Sequence, residues 1–144
     1  MSEYGDVGKV AWVIRHFPLA QLHPNAPRLA EASECVAALA GDAAFWKFLD
    51  EIFVIAPVNV FFPMDRLTAV AKKAGADGTA FDACLAAGTY KDKVAAQFND
   101  AIASGGQGTP HNIVFVKGGQ RVPLSGAQPY TTVKSVIETI LAEQ

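Results

Sequence analysis

The sequence predicts a mixed α/β domain, in the order strand, several helices, hairpin, helix. Three observations predict it. Residues 10–17, Val-Ala-Trp-Val-Ile-Arg-His-Phe, are dense in β-branched and aromatic side chains and read as a buried strand. Gly118-Gly119 stands between two β-prone runs, which signals a tight hairpin. Between these two places apolar residues recur at helical spacing, interrupted by glycines that end the helical stretches.

Taken in order, Pro18 ends the first strand and His23-Pro24-Asn25 is turn chemistry, with Asn25 placed to cap a helix. Leu29, Ala32, Val36 and Leu39 give that helix its inward stripe. Gly41-Asp42 breaks and recaps the chain, and Phe45, Phe48, Leu49, Ile52 and Phe53 form the stripe of a second helix. Residues 58–62 look like a short strand, but Pro57 and Pro63 bracket them, which argues for an edge or a loop. Pro63-Met64-Asp65 opens a third helix with Leu67, Val70 and Ala71 inward, and Gly75 stops it. Asp77 caps a short helix holding Phe81 and Leu85. Thr89 is placed to cap the next, with Val94, Phe98 and Ile102 inward and Gly105-Gly106 as its end. After the hairpin, Val133, Val136, Ile137, Ile140 and Leu141 share one face of a last helix.

Composition excludes several functions. A length of 144 residues is enough for one domain with a real core, and a net charge of −2 leaves no basic footprint for nucleic acid or an anionic membrane. No apolar run reaches membrane-spanning length. The start at Met1-Ser2-Glu3 has no basic-then-apolar leader and reads as cytoplasmic.

Few residues suggest chemistry. Cys35 and Cys84 are the only thiols, and their separation is neither a Cys-x-x-Cys redox pair nor a zinc pattern. Glu31 and Glu34 precede Cys35, and Asp82 precedes Cys84, so local charge opposes an activated thiolate. His16, His23 and His111 do not fall at ligand spacing; no metal and no cofactor is expected. His16 reads as a hydrogen-bonded core residue and His23 as a turn residue. Gly105-Gly106-Gln107-Gly108 lacks the Lys-Ser or Lys-Thr of a phosphate loop, and no serine-hydrolase or dinucleotide fingerprint appears. The carboxylates, spread over helix faces and caps, read as solvated surface.

Several stretches, in order, resemble the DsbA-like proteins of the thioredoxin superfamily. These are residues 8–19, His23-Pro24-Asn25-Ala26, Glu31 to Cys35, Phe45-Trp46-Lys47-Phe48, Gly108-Thr109-Pro110 with its hairpin, and Ser125-Gly126-Ala127-Gln128-Pro129-Tyr130. The resemblance implies a thioredoxin-like fold with a helical insert, one domain over 1–144. Its sheet layer comes from 8–18 and 108–144 and its insert from about 25–105. Such proteins begin with a strand and a helix carrying Cys-x-x-Cys, which nothing here matches, so the chain reads as a truncated member. The resemblance also implies a cis bond at Thr109-Pro110 and a peptide-binding site of Thr109, Pro110 and His111. It implies an extracytoplasmic setting, against the cytoplasmic reading of the start. Relatives carry cysteines at the places of Cys35 and Cys84, away from the active pair. Two readings stand side by side: buried thiols, or a structural disulfide joining two insert helices. The expected function is a non-catalytic peptide- or protein-binding module. The alternative is a thiol-disulfide oxidoreductase working through Cys35 and Cys84, or completed by a partner chain. The absent first strand would be a central one, so the gap is expected to be filled or closed by residues 58–62, by direct pairing of the two flanking strands, or by a second copy of the chain. A homodimer engaging residues 10–17 is the favoured solution.

Overall fold

The structure, a computed structural model, describes residues 3–57 and 60–143. The chain divides into two compact units, Met1–Phe98 and Asn99–Gln144.

The first unit is helical. Helices α1 (Ala26–Ala40), α2 (Asp42–Ile55), α3 (Leu67–Ala74) and α4 (Gly78–Ala86) follow one another, with a 3-10 turn (Met64–Arg66) ahead of α3. Helix α1 packs on α2, α3 and α4, and α3 packs on α2 and α4. Ala30, Glu31, Ala32, Ser33, Glu34, Cys35 and Val36 are all buried, so the middle of α1 is covered around its whole circumference. Phe48 of α2 and Phe81 of α4 are 0% exposed and meet with ring centroids 6.4 Å apart. Leu67, Val70 and Ala71 of α3 complete this core. Cys35 and Cys84 are joined by a disulfide that ties α1 to α4. The apolar stripes are narrower than their spacing suggests, for Leu39 and Phe53 lie on the surface.

Local chemistry sets the helix ends. Gly41 takes a φ of 82°, which lets the chain leave α1 and enter α2 without a loop. Gly75 caps α3 at a φ of 117°, its N–H meeting the carbonyls of Ala71 and Lys72. Asp77 caps α4, its Oδ1 accepting from the Ala80 N–H at 2.8 Å. Asn25 occupies the N-cap of α1 but makes no side-chain capping bond. The expectation for Thr89 is corrected. Its hydroxyl donates back to the carbonyl of Cys84 at 3.1 Å, and α5 (Lys91–Ala103) begins two residues later. The free carbonyls at the end of α4 are the stronger claim on that hydroxyl.

A second correction concerns residues 10–17. They take no regular secondary structure and join no ladder, and the described residues contain one sheet of two strands. A strand is defined by its partner, and no described residue bonds the main chain of Ala11 to Ile14. Of the short-strand candidate at 58–62, Val58 and Asn59 lie outside the described residues. Val60, Phe61 and Phe62 join no ladder.

The second unit holds the last residues of α5, which crosses the division, then strands β1 (His111–Phe115) and β2 (Arg121–Ser125) and helix α6 (Tyr130–Ala142). The strands pair antiparallel, His111 opposite Ser125 and Phe115 opposite Arg121. Gly118 and Gly119, with φ of 101° and 94°, turn the chain between them. Ile137 of α6 is buried, and Val133, Val136, Ile140 and Leu141 beside it are half-buried.

The disulfide closes a long loop of the helical unit, so it restricts the unfolded chain strongly. Cys35→Ser is expected to lower the unfolding free energy by about 2–4 kcal/mol. Denaturant unfolding under non-reducing conditions measures this; an unchanged midpoint would contradict it.

Candidate functional site

Thr109, Pro110 and His111 sit together where the glycine-rich approach enters β1. Thr109 and Pro110 are exposed and His111 is half-buried. The Thr109-Pro110 peptide bond is cis. The Pro110 carbonyl accepts from the Gly126 N–H at 3.0 Å, extending the hairpin ladder by one bond. His111 Nε2 lies 3.3 Å from the Ser104 hydroxyl. Gln128 donates from Nε2 to the Ser125 carbonyl at 2.6 Å, which holds the turn leaving β2. No described residue bonds the main chain of Thr109.

The ladder decides which groups face outward. Pro110 bonds Gly126, and Val116 donates to Gln120, so both pairs are of the hydrogen-bonded kind. Such pairs alternate along an antiparallel ladder. With the observed register, Asn112 and Val114 therefore bond inward to Leu124 and Val122. The N–H and C=O groups of His111, Ile113 and Phe115 point to the outer edge of β1. On β2 the outward positions are Arg121, Pro123 and Ser125, and Pro123 has no N–H to offer. The hairpin thus presents one complete edge, on β1, and one interrupted edge, on β2.

Cys35 and Cys84 are the other pair of candidates. Cys35 is 1% exposed, and Cys84 packs against the same core. Among the described residues no group of three or more His, Cys, Asp or Glu side chains is arranged to hold a metal ion. No helix among them is long and apolar enough to cross a membrane.

A polar network that the sequence did not reveal lies inside the helical unit. His16 is buried, with Nε2 3.2 Å from Glu34 Oε1 and 3.3 Å from Ser33 Oγ. Glu34 Oε2 accepts from Lys93 Nζ at 2.6 Å, and the His16 N–H donates to Gln97 Oε1 at 2.7 Å. The reading of the carboxylates as solvated surface is corrected here, since Glu31 and Glu34 are buried on α1. No local spacing marks them; only the burial of α1 on every side does. Ser33 commits its proton to the Ala30 carbonyl at 2.8 Å, so the imidazole proton resides on Nε2. Ser33 is also wholly buried, so this serine, histidine and glutamate form a structural brace and not a nucleophile. Burial pushes the His16 pKa below its ordinary 6.5. The charge and hydrogen bond of Glu34 oppose that shift, and the charge of Lys93 adds to it.

A family model described as a DSBA-like thioredoxin domain matches residues 16–138. The Na(+)/H(+) antiporter NhaA of Herminiimonas arsenicoxydans is 31% identical over 137 residues, covering 95% of this chain and 20% of that protein. The chain therefore spans about a fifth of the length of that curated relative. Among solved structures, Pseudomonas aeruginosa DsbA2 is similar with a TM-score of 0.69 at 23% identity, over 87% of this chain and 68% of that one. The reduced form of the disulfide bond oxidoreductase DsbG from Mycobacterium tuberculosis gives a TM-score of 0.55 at 26% identity, over 81% and 53% respectively. These likenesses show a DsbA-like fold.

The His16 brace carries a pH dependence whose sign is fixed. The folded state holds the imidazole neutral, so below about pH 6.5 the unfolded chain takes up a proton that the folded chain resists. Stability from this group is present above that pH and is lost as the pH falls towards the depressed folded value. Unfolding free energies should fall on acidification from about pH 7.5 to 5.5, and His16→Gln should flatten that slope. Identical slopes in the two proteins would show that His16 contributes nothing to it.

Proposed function

We propose that this chain, which belongs to the DSBA-like thioredoxin domain family, is a strand-docking module that takes an extended peptide along Thr109 and the outer edge of β1. The observation that supports this reading is the one-sided hairpin. Thr109 is exposed with an unbonded main chain, and the outward N–H and C=O groups of His111, Ile113 and Phe115 follow it. An extended peptide laid there gains main-chain hydrogen bonds irrespective of its sequence. Side chains beside the edge then set preference. Phe115 is 68% exposed and Arg121 lies over its ring at 5.3 Å, so an aromatic and cationic platform flanks the far end.

The Cys35–Cys84 disulfide supports a second reading, thiol-disulfide exchange. In that reaction a substrate thiolate attacks the Cys84 sulfur, a mixed disulfide forms, and Cys35 leaves as a thiolate to be reprotonated. The burial of Cys35 weighs against it, because an apolar setting disfavours the leaving thiolate.

Two measurements separate the readings. Titration of the chain with an unfolded, cysteine-free peptide should shift the amide resonances of Thr109, His111, Ile113 and Phe115. Ile113→Pro removes an outward N–H and no β1–β2 bond, so it should abolish those shifts while leaving circular dichroism unchanged. Shifts that survive in Ile113→Pro would place docking elsewhere. Insulin reduction by the chain should stay at background; turnover that disappears in Cys35→Ser would put the exchange reading first.

A further inference from the structure

The helical unit displays a segment without regular secondary structure, residues 11–14, that nothing in its own unit pairs with. No described residue bonds the main chain of Ala11, Trp12, Val13 or Ile14. All three of the larger side chains are exposed, Val13 to 81%. The segment is nonetheless held at both ends. Before it, the Val10 N–H donates to the Tyr4 carbonyl at 3.2 Å. After it, the His16 N–H donates to Gln97 and the imidazole is buried against Glu34. It is therefore an exposed segment with β-forming side chains, anchored where it enters and leaves and without a ladder partner.

We propose that the strand taken up at the outer edge of β1 is residues 11–14 of a second copy of this chain, exchanged reciprocally in a two-fold dimer. This deepens the strand-docking reading and rests on it. The donor is about as long as β1, which spans five residues. Neither residues 11–14 nor β1 contains a carboxylate, lysine or arginine, so pairing them buries no unpaired charge. Each copy carries one donor, and Pro123 leaves it one complete acceptor edge. Reciprocal exchange uses both on both copies and closes at two. One-way exchange leaves a donor on one copy and an acceptor on the other, and so invites further addition.

The experiment is light scattering of the full chain at micromolar concentration, with variants that separate donor from acceptor. Wild type is expected to dimerise. Val13→Pro disables the donor and Ile113→Pro the acceptor, and each alone should dimerise about tenfold or more weakly, the scale of a lost main-chain hydrogen bond. Mixed in equal amounts they should form a heterodimer, because one still donates and the other still accepts. Val13→Lys serves as a second donor variant, and circular dichroism confirms that each variant folds. A synthetic peptide of residues 9–17 should shift the Ile113 and Phe115 amides of the Val13→Pro chain. Wild type that stays monomeric, single variants that dimerise as wild type does, or a mixture that fails to associate would each overturn the exchange. A monomeric wild type whose β1 edge still takes an unrelated peptide defeats this inference and leaves the docking reading standing. A dimer indifferent to Ile113→Pro, with no peptide bound at that edge, defeats both.

Discussion

Two neighbouring residues of α1, Glu34 and Cys35, hold the helical unit together in different ways. Cys35 is covalently bound to Cys84 of α4. Glu34 reaches the other way, to His16 in the segment before α1 and Lys93 in α5. Both are possible only because the centre of α1 is buried on every side. A carboxylate in that position is costly unless it is paired, and here both oxygens are engaged. The arrangement anchors the end of the segment before α1, which belongs to no sheet. Its end is held by a buried ring and a main-chain bond to Gln97, rather than by a ladder.

The second unit is organised by an asymmetry between two strands. A two-stranded ribbon normally has two equivalent edges. Proline at position 123 removes the donor from one of them at a place where the ladder itself does not need it. The proline therefore costs the hairpin no internal bond, yet it leaves the two edges of the ribbon unequal. The glycine-rich entry and the Thr109-Pro110 step stand at the start of the intact edge. This continuity is why the candidate site is a main-chain feature more than a set of reactive side chains.

Local signals were easy to read. Gly41, Gly75 and Asp77 mark their helix ends by backbone chemistry that depends on few neighbours. The hairpin at Gly118-Gly119 and the apolar face of α6 are equally local. What was hidden needs three dimensions. Residues 10–17 have the side chains of a strand, but pairing depends on a partner that composition does not specify. Thr89 sits where either of two helices could claim its hydroxyl, and the open carbonyls of α4 take it. Glu31 and Glu34 look like surface charges because carboxylates are seldom buried, yet Glu34 finds its partners in α5 and the chain before α1, and Glu31 pairs with Arg28 one turn back. The bond between Cys35 and Cys84 likewise follows from α1 crossing α4, a contact that helix spacing does not encode.

The covalent connectivity of the helical unit is that of a ring with two tails. Cys35 and Cys84 are 49 positions apart, and the ring between them contains all of α2 and α3 and most of α4. A single cut in the main chain of that ring does not divide the molecule. The two pieces remain one covalent body of unchanged mass apart from the added water, until a reductant opens the disulfide. Inside the ring the order of the chain is thus protected twice, once by the peptide bonds and once by the sulfur bridge. The tail holding His16 and the tail holding β1 have only the first protection, so a cut in either one severs it.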